Sequence, residues 1–132
     1  VFPKSKPKPK DKELDAFFSR VMEENEPVCA ECGLRSDWLK QPENKTLWKS
    51  CQAHLLPKRH FKSIATHPLN ALVLFSGYSG GGCHHHDVYD SNWMSASKMG
   101  IWQEVVRRFK VLYPLIKTEE HQYIPQILLD TL

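Results

Sequence analysis

The chain of 132 residues suits a single domain with a modest core, close to the size at which a structural metal helps folding. Lys and Arg outnumber Asp and Glu by 18 to 15, a mild surplus that becomes informative because the lysines are clustered. No apolar run approaches a membrane span, no basic-then-apolar leader is visible, and no Gly-rich loop ends in Lys-Ser/Thr, which leaves membrane insertion, secretion and nucleoside-triphosphate chemistry without support.

Residues 1–12 alternate Lys4, Lys6, Lys8, Lys10 and Lys12 with Pro, Ser and Asp, a composition that cannot bury apolar surface. The segment reads as a flexible basic arm, either a solubilising terminus or a strap for a polyanion such as nucleic acid. From Asp11 to Asn25, Leu14, Phe17, Phe18, Val21 and Met22 recur at helical spacing behind an acidic first turn. This predicts a helix with one buried face, ended by Pro27. Cys29-Ala30-Glu31-Cys32-Gly33 has the spacing of a zinc knuckle, in which glycine permits the tight turn that aims backbone amides at the thiolates. A core cysteine pair or a redox CxxC is the alternative, although the redox motif lacks its strand-then-helix context. The economical ligand set is Cys29, Cys32, Cys51 and Cys83, with His85 or His84 as replacements for Cys51. That pattern points to a reducing, cytoplasmic setting. Residues 34–44 read as polar turns, and Leu47–Cys51 as a short strand.

Gln52 to Phe61 carries His54 on a short apolar segment stopped by Pro57, and Pro68 to Phe75 opens with Asn70 and becomes uniformly apolar. The two read as arms of a hairpin. Between them, Lys58, Arg59 and Lys62 form either a solvated loop or a set of phosphate contacts at the edge of a site. After Gly77–Gly82 the chain crowds Cys83, His84, His85, His86, Asp87 and Asp90 together, a mixture of soft, borderline and hard ligands that suits zinc, a magnesium-like ion, or both. If a helix starts there, His86 and Asp90 share a face at i and i+4, with His84 and Asp87 as the rival pair. A His-rich solvated loop is the plain alternative. Asn92 and Ser95 supply cap chemistry for an amphipathic helix over 96–112, Pro114 interrupts, and His121 to Leu132 reads as a short apolar-faced helix or partner-binding tail.

In order, the CxxC, the segment Ala53-His54-Leu55-Leu56-Pro57, the segment Pro68-Leu69-Asn70-Ala71-Leu72-Val73-Leu74, and the run Cys83 to Asp90 resemble the HNH nuclease family, nearest its zinc-knuckle phage and bacterial members. The resemblance covers about half the chain. It implies an α+β fold with a ββα-metal core over roughly 28–92, flanked by N-terminal and C-terminal helices in a single domain over 13–132. It further implies metal-dependent endonuclease activity on DNA, with structural zinc and catalytic Mg²⁺ or a similar ion. His54 would match the general base, Asn70 the residue that orients its loop or ligates the metal, and His86 and Asp90 the closing metal-binding positions, with His84 competing. Lys58, Arg59 and Lys62 would hold the backbone. The sequence departs from the family by placing Ala53 where many members carry a ligand. A zinc-stabilised nucleic-acid-binding module without chemistry is the other expectation.

Overall fold

The structure is a computed structural model that describes residues 11–77 and 83–132. The basic arm expected over 1–12 therefore lies outside the described residues up to Lys10, and its last two residues cap and open the first helix. Asp11 caps α1 (Lys12–Glu24) by accepting from the Leu14 amide at 3.0 Å, which satisfies a donor that the first turn leaves orphaned. Phe17, Phe18, Val21 and Met22 fall on one side and are buried, each phenylalanine contributing about 1.5–3 kcal/mol.

The chain then turns through the knuckle, where Gly33 takes φ +75° and its amide reaches back to Cys29 O at 2.8 Å. Residues 47–51 do not form the expected strand. They belong to α2 (Lys45–Ser50) and its C-cap Cys51, which follow two short 3-10 turns (Asp37–Lys40 and Pro42–Asn44). The burial of Trp48 and its indole bond to Met22 O at 2.8 Å fix this choice, so a tertiary contact overrides the local apolar pattern.

Two three-residue strands, β1 (Gln52–His54) and β2 (Ala71–Val73), pair antiparallel with Gln52 opposite Val73 and His54 opposite Ala71. Two outside groups extend the hairpin. Ala30 N donates to Val73 O at 2.8 Å, attaching the knuckle to β2, and Arg108 donates to Ala71 O at 2.8 Å. α3 (His85–Ser91) follows, and its His86 amide bonds Phe75 O at 2.8 Å, seating the helix start against the end of the hairpin.

The helix expected over 96–112 is divided. α4 (Trp93–Ser97) begins under an Asn92 cap on Ser95 N, and α5 (Trp102–Leu112) begins afresh after Gly100. The reason is Glu31 of the knuckle, which accepts from Gly100 N at 2.7 Å and Ile101 N at 2.8 Å and so neutralises the new helix start. A 3-10 segment (Thr118–Tyr123) and α6 (Gln126–Leu129) close the chain. The class is α+β, with a small two-stranded sheet among helices. No helix among the described residues is long and apolar enough to cross a membrane.

Candidate functional site

Three consecutive histidines at the start of α3 face three different surroundings, because each helical step rotates the side chain by about 100°. His85 faces sulfur. Its Nδ1 stands 3.6 Å from Cys29 Sγ, while Cys83 Sγ is 3.7 Å from Cys29 and 3.8 Å from Cys32. Zinc bonds of about 2.3 Å to sulfur and 2.0–2.1 Å to nitrogen, set tetrahedrally, place two sulfurs about 3.8 Å apart and a sulfur and nitrogen about 3.6 Å apart. The separations are the edges of that tetrahedron, too long for disulfides. All four ligand atoms lie within 4.8 Å of one another, and the donor set fits zinc.

Cys51 does not join them, contrary to the expected four-cysteine set. It sits at the end of α2 with its thiol buried and donating to Leu47 O at 3.4 Å, and His85 takes the fourth corner. The knuckle prepares Cys29 for a cation. Burial opposes its thiolate, but the amides of Phe75, Cys32 and Glu31 and the His85 ring together bring its pKa down to about 7. Burial and the neighbouring Cys29 push Cys83 up to about 12, so these two thiols resist ionising together unless a cation compensates them.

His86 faces the opposite side and bonds Asp90 at 3.0 Å. Burial works against its imidazolium, yet the hydrogen bond and charge of Asp90 outweigh that, and its pKa rises. The rival pair forms as well, on the exposed flank, where His84 meets Asp87 at 3.3 Å above Gly77.

His54 shares a cavity wall with Asp90 and feels the charge of both Asp90 and His86. Its ring packs edge-on against Phe18, with centroids 5.5 Å apart, and near Phe17 at 6.3 Å. Burial among these rings, followed by the charge of Lys58, lowers its pKa and keeps it neutral near pH 7. Nε2 is buried and has no hydrogen-bond partner among the described residues. A histidine kept only to fill a core would normally have one. Alternation along β1 sends the buried Ala53 to the other face of the hairpin, so that position is turned away from His54.

Asn70 is fully buried and uses both ends of its amide on one residue: Oδ1 accepts from Leu56 N at 2.9 Å and Nδ2 donates to Leu56 O at 3.1 Å. Tyr89 of α3 adds a buried bond to Leu55 O at 2.7 Å. Both hold the backbone just beyond His54, and each amide atom of Asn70 is engaged on Leu56.

A cavity of about 270 Å³ opens beside His54, with Pro57, Tyr89, Asp90, Asn92 and Trp93 among its walls. On the other side of His54 a groove of about 330 Å³ is lined by Lys49, Ser50 and Lys58, and Lys58 leads on to a larger groove bearing Arg59 and Lys62 opposite Asp11 and Glu13. The loop carrying these cations is braced by the C-terminal segment. Glu120 accepts from both the amide and the hydroxyl of Ser63, and Tyr123 stacks on His60 at 4.2 Å.

Several of these participants escape a reading of the sequence. Tyr89 and Trp93 carried a faint signal in their closeness to the His/Asp run, whereas Glu31, Lys49 and Glu120 act through contacts that no local pattern marks. Comparison with protein-family models, curated proteins and solved structures finds no match.

Proposed function

We propose that the chain is a metal-dependent endonuclease of the HNH type that hydrolyses DNA phosphodiester bonds. The observation that carries this reading is that a neutral, unpartnered His54 from the hairpin shares one cavity with Asp90, the partner of His86 on α3, and also borders a separate groove that carries Lys49 and Lys58. His54 accepts the proton of the attacking water, a role open to it because burial keeps the ring deprotonated near neutral pH. Asn70 and Tyr89 hold the following backbone so that the ring keeps its aim. Lys49 and Lys58 draw the phosphodiester backbone to the edge of the site.

One imidazole and one carboxylate are a partial ligand set, of the kind that Mg²⁺ completes with waters and substrate phosphate. A divalent ion held by His86 and Asp90 would supply charge neutralisation at the phosphate and its leaving oxygen. The Cys29, Cys32, Cys83 and His85 set would hold zinc for structure, since four protein ligands leave no open position.

A nucleic-acid-binding module without chemistry is the second reading. It is favoured by Ala53 at the position where a further ligand is expected, and by the absence of any compact metal-ligand group other than the sulfur set among the described residues. Plasmid nicking separates the two. Zinc-loaded protein given Mg²⁺ or Mn²⁺ should convert supercoiled DNA to open circles, and His54→Ala, purified identically and still holding zinc, should not. Failure of the wild type to cut duplex, single-stranded or branched DNA, with salt-sensitive binding retained, would establish the second reading.

A further inference from the structure

The two sides of His54 differ in chemistry. Among the described residues, the Lys49–Lys58 side offers two cations and no carboxylate. The Trp93 side offers an indole, a phenol ring, a proline and an amide, with Asp90 as the sole charged group among the described residues. A run of phosphates is drawn to the first side, whereas the second has no lysine or arginine among its described walls to hold one. What the second suits is an uncharged planar ring, and its volume of about 270 Å³ lies below the roughly 300–1,000 Å³ of clefts for drug-sized ligands.

Trp93 stands in the cavity wall. It is half-buried, with Tyr89 at 6.0 Å and 77° and Trp102 at 6.4 Å and 65° packed in edge contacts that limit its motion. Asn92 commits Oδ1 to the α4 cap, which leaves its Nδ2 hydrogens as donors without a protein partner among the described residues. Nucleobases present a π face to the indole and ring or carbonyl acceptors to the amide.

Resting on the nuclease reading, we propose that this cavity takes one unstacked nucleobase next to the scissile phosphate, so that the substrate is single-stranded or locally opened DNA. In an intact duplex the same base is stacked and paired, and drawing it out costs a few kcal/mol before any contact is made. A single strand, a flap or a mismatch costs far less. The backbone then runs along Lys58 and Lys49 to His54, and the next base turns into the Trp93 cavity.

The test reads binding without cleavage. Zinc-loaded protein, with no Mg²⁺ or Mn²⁺ added, is titrated into a fluorescently labelled short single strand and into a hairpin duplex of matching composition, with anisotropy as the signal. Trp93→Ala should weaken single-strand binding by about tenfold, the worth of one stacked base, and alter duplex binding by less than about twofold. Trp93→Phe should restore most of the loss. Asn92→Asp, which keeps the Ser95 cap acceptor but removes the donor, should also lose single-strand affinity selectively.

Equal losses on both substrates, or an unchanged single-strand affinity in Trp93→Ala and Asn92→Asp, would overturn the assignment. Should Trp93→Ala not fold, Trp93→Phe and Asn92→Asp decide alone, and loss of the selective effect in Asn92→Asp counts against the cavity. A wild type that cuts plasmid while these variants bind normally would remove the cavity and keep the nuclease. Selective loss of single-strand binding in a protein that cuts nothing would do the reverse.

Discussion

His85 and His86 are neighbours in sequence and members of one helix turn, yet they serve centres of opposite design. His85 completes a set of four ligand atoms that lie within 4.8 Å of one another, with three of their separations at the edge lengths of a zinc tetrahedron. His86 bonds one carboxylate, that of Asp90, which lines the cavity beside the unpartnered His54. The first arrangement is closed by four protein ligand atoms; the second is open, and on the proposed reading solvent, ion and substrate would finish it. Structural metal sites and catalytic ones differ in this way in general. On that reading one short helix would serve both, and whatever fixes its start at the sulfur centre also sets the position of His86.

The largest expected break in the comparison is at the closed centre. Cys29→Ser should release zinc and lower the melting temperature steeply, because structural zinc contributes on the order of 10 kcal/mol to small folds and Cys29 is buried at the junction of knuckle and hairpin. His86→Ala should keep zinc at full stoichiometry and melt close to the wild type while losing metal-dependent cleavage. Metal analysis and thermal denaturation of the two variants side by side check this, and equal zinc loss in both would merge the two centres into one.

Asn70→Ala comes next. It orphans a buried amide and a buried carbonyl of Leu56, at about 1–3 kcal/mol each, and denaturant unfolding should register the loss while zinc stays bound. Asn70→Asp keeps the acceptor and should recover part of it.

The smallest effect concerns protons. His54 is held below the ordinary histidine value of 6.5, first by burial and second by Lys58. Because the folded state disfavours its imidazolium, this contribution to stability is complete above pH 6.5 and is lost as the pH falls toward the lowered value. The acid limb of cleavage should accordingly lie below 6.5. Phe18→Ala opens the ring to water and should move that limb upward, measured as a pH–rate profile on plasmid; an unmoved limb would detach the profile from His54.

Legibility in the sequence followed the range of the forces involved. The apolar spacing of Phe17, Phe18, Val21 and Met22 gave α1 to within a residue, and the arms around His54 and Asn70 did pair, though over only three residues each. Cys29 and Cys32 were visible from their spacing. The division of labour among His84, His85 and His86 was not, since it depends on where α3 starts, and that is set by His86 N on Phe75 O. Cys51 joins the expected zinc set only by ligand count, whereas the helix ending at Ser50 turns its thiol toward Leu47. The break before α5 likewise belongs to Glu31, about seventy residues away in the chain, through two bonds that periodicity cannot register.

The most direct test of two separate centres is an electron paramagnetic resonance titration with Mn²⁺. Zinc-loaded protein is titrated in the presence of a single-stranded oligonucleotide, as wild type and as Asp90→Asn. The account predicts that wild-type protein binds one Mn²⁺ with its zinc in place, and that Asp90→Asn loses the Mn²⁺ and keeps the zinc. Mn²⁺ binding that is absent from the wild type, or that displaces zinc from the cysteines, would contradict it.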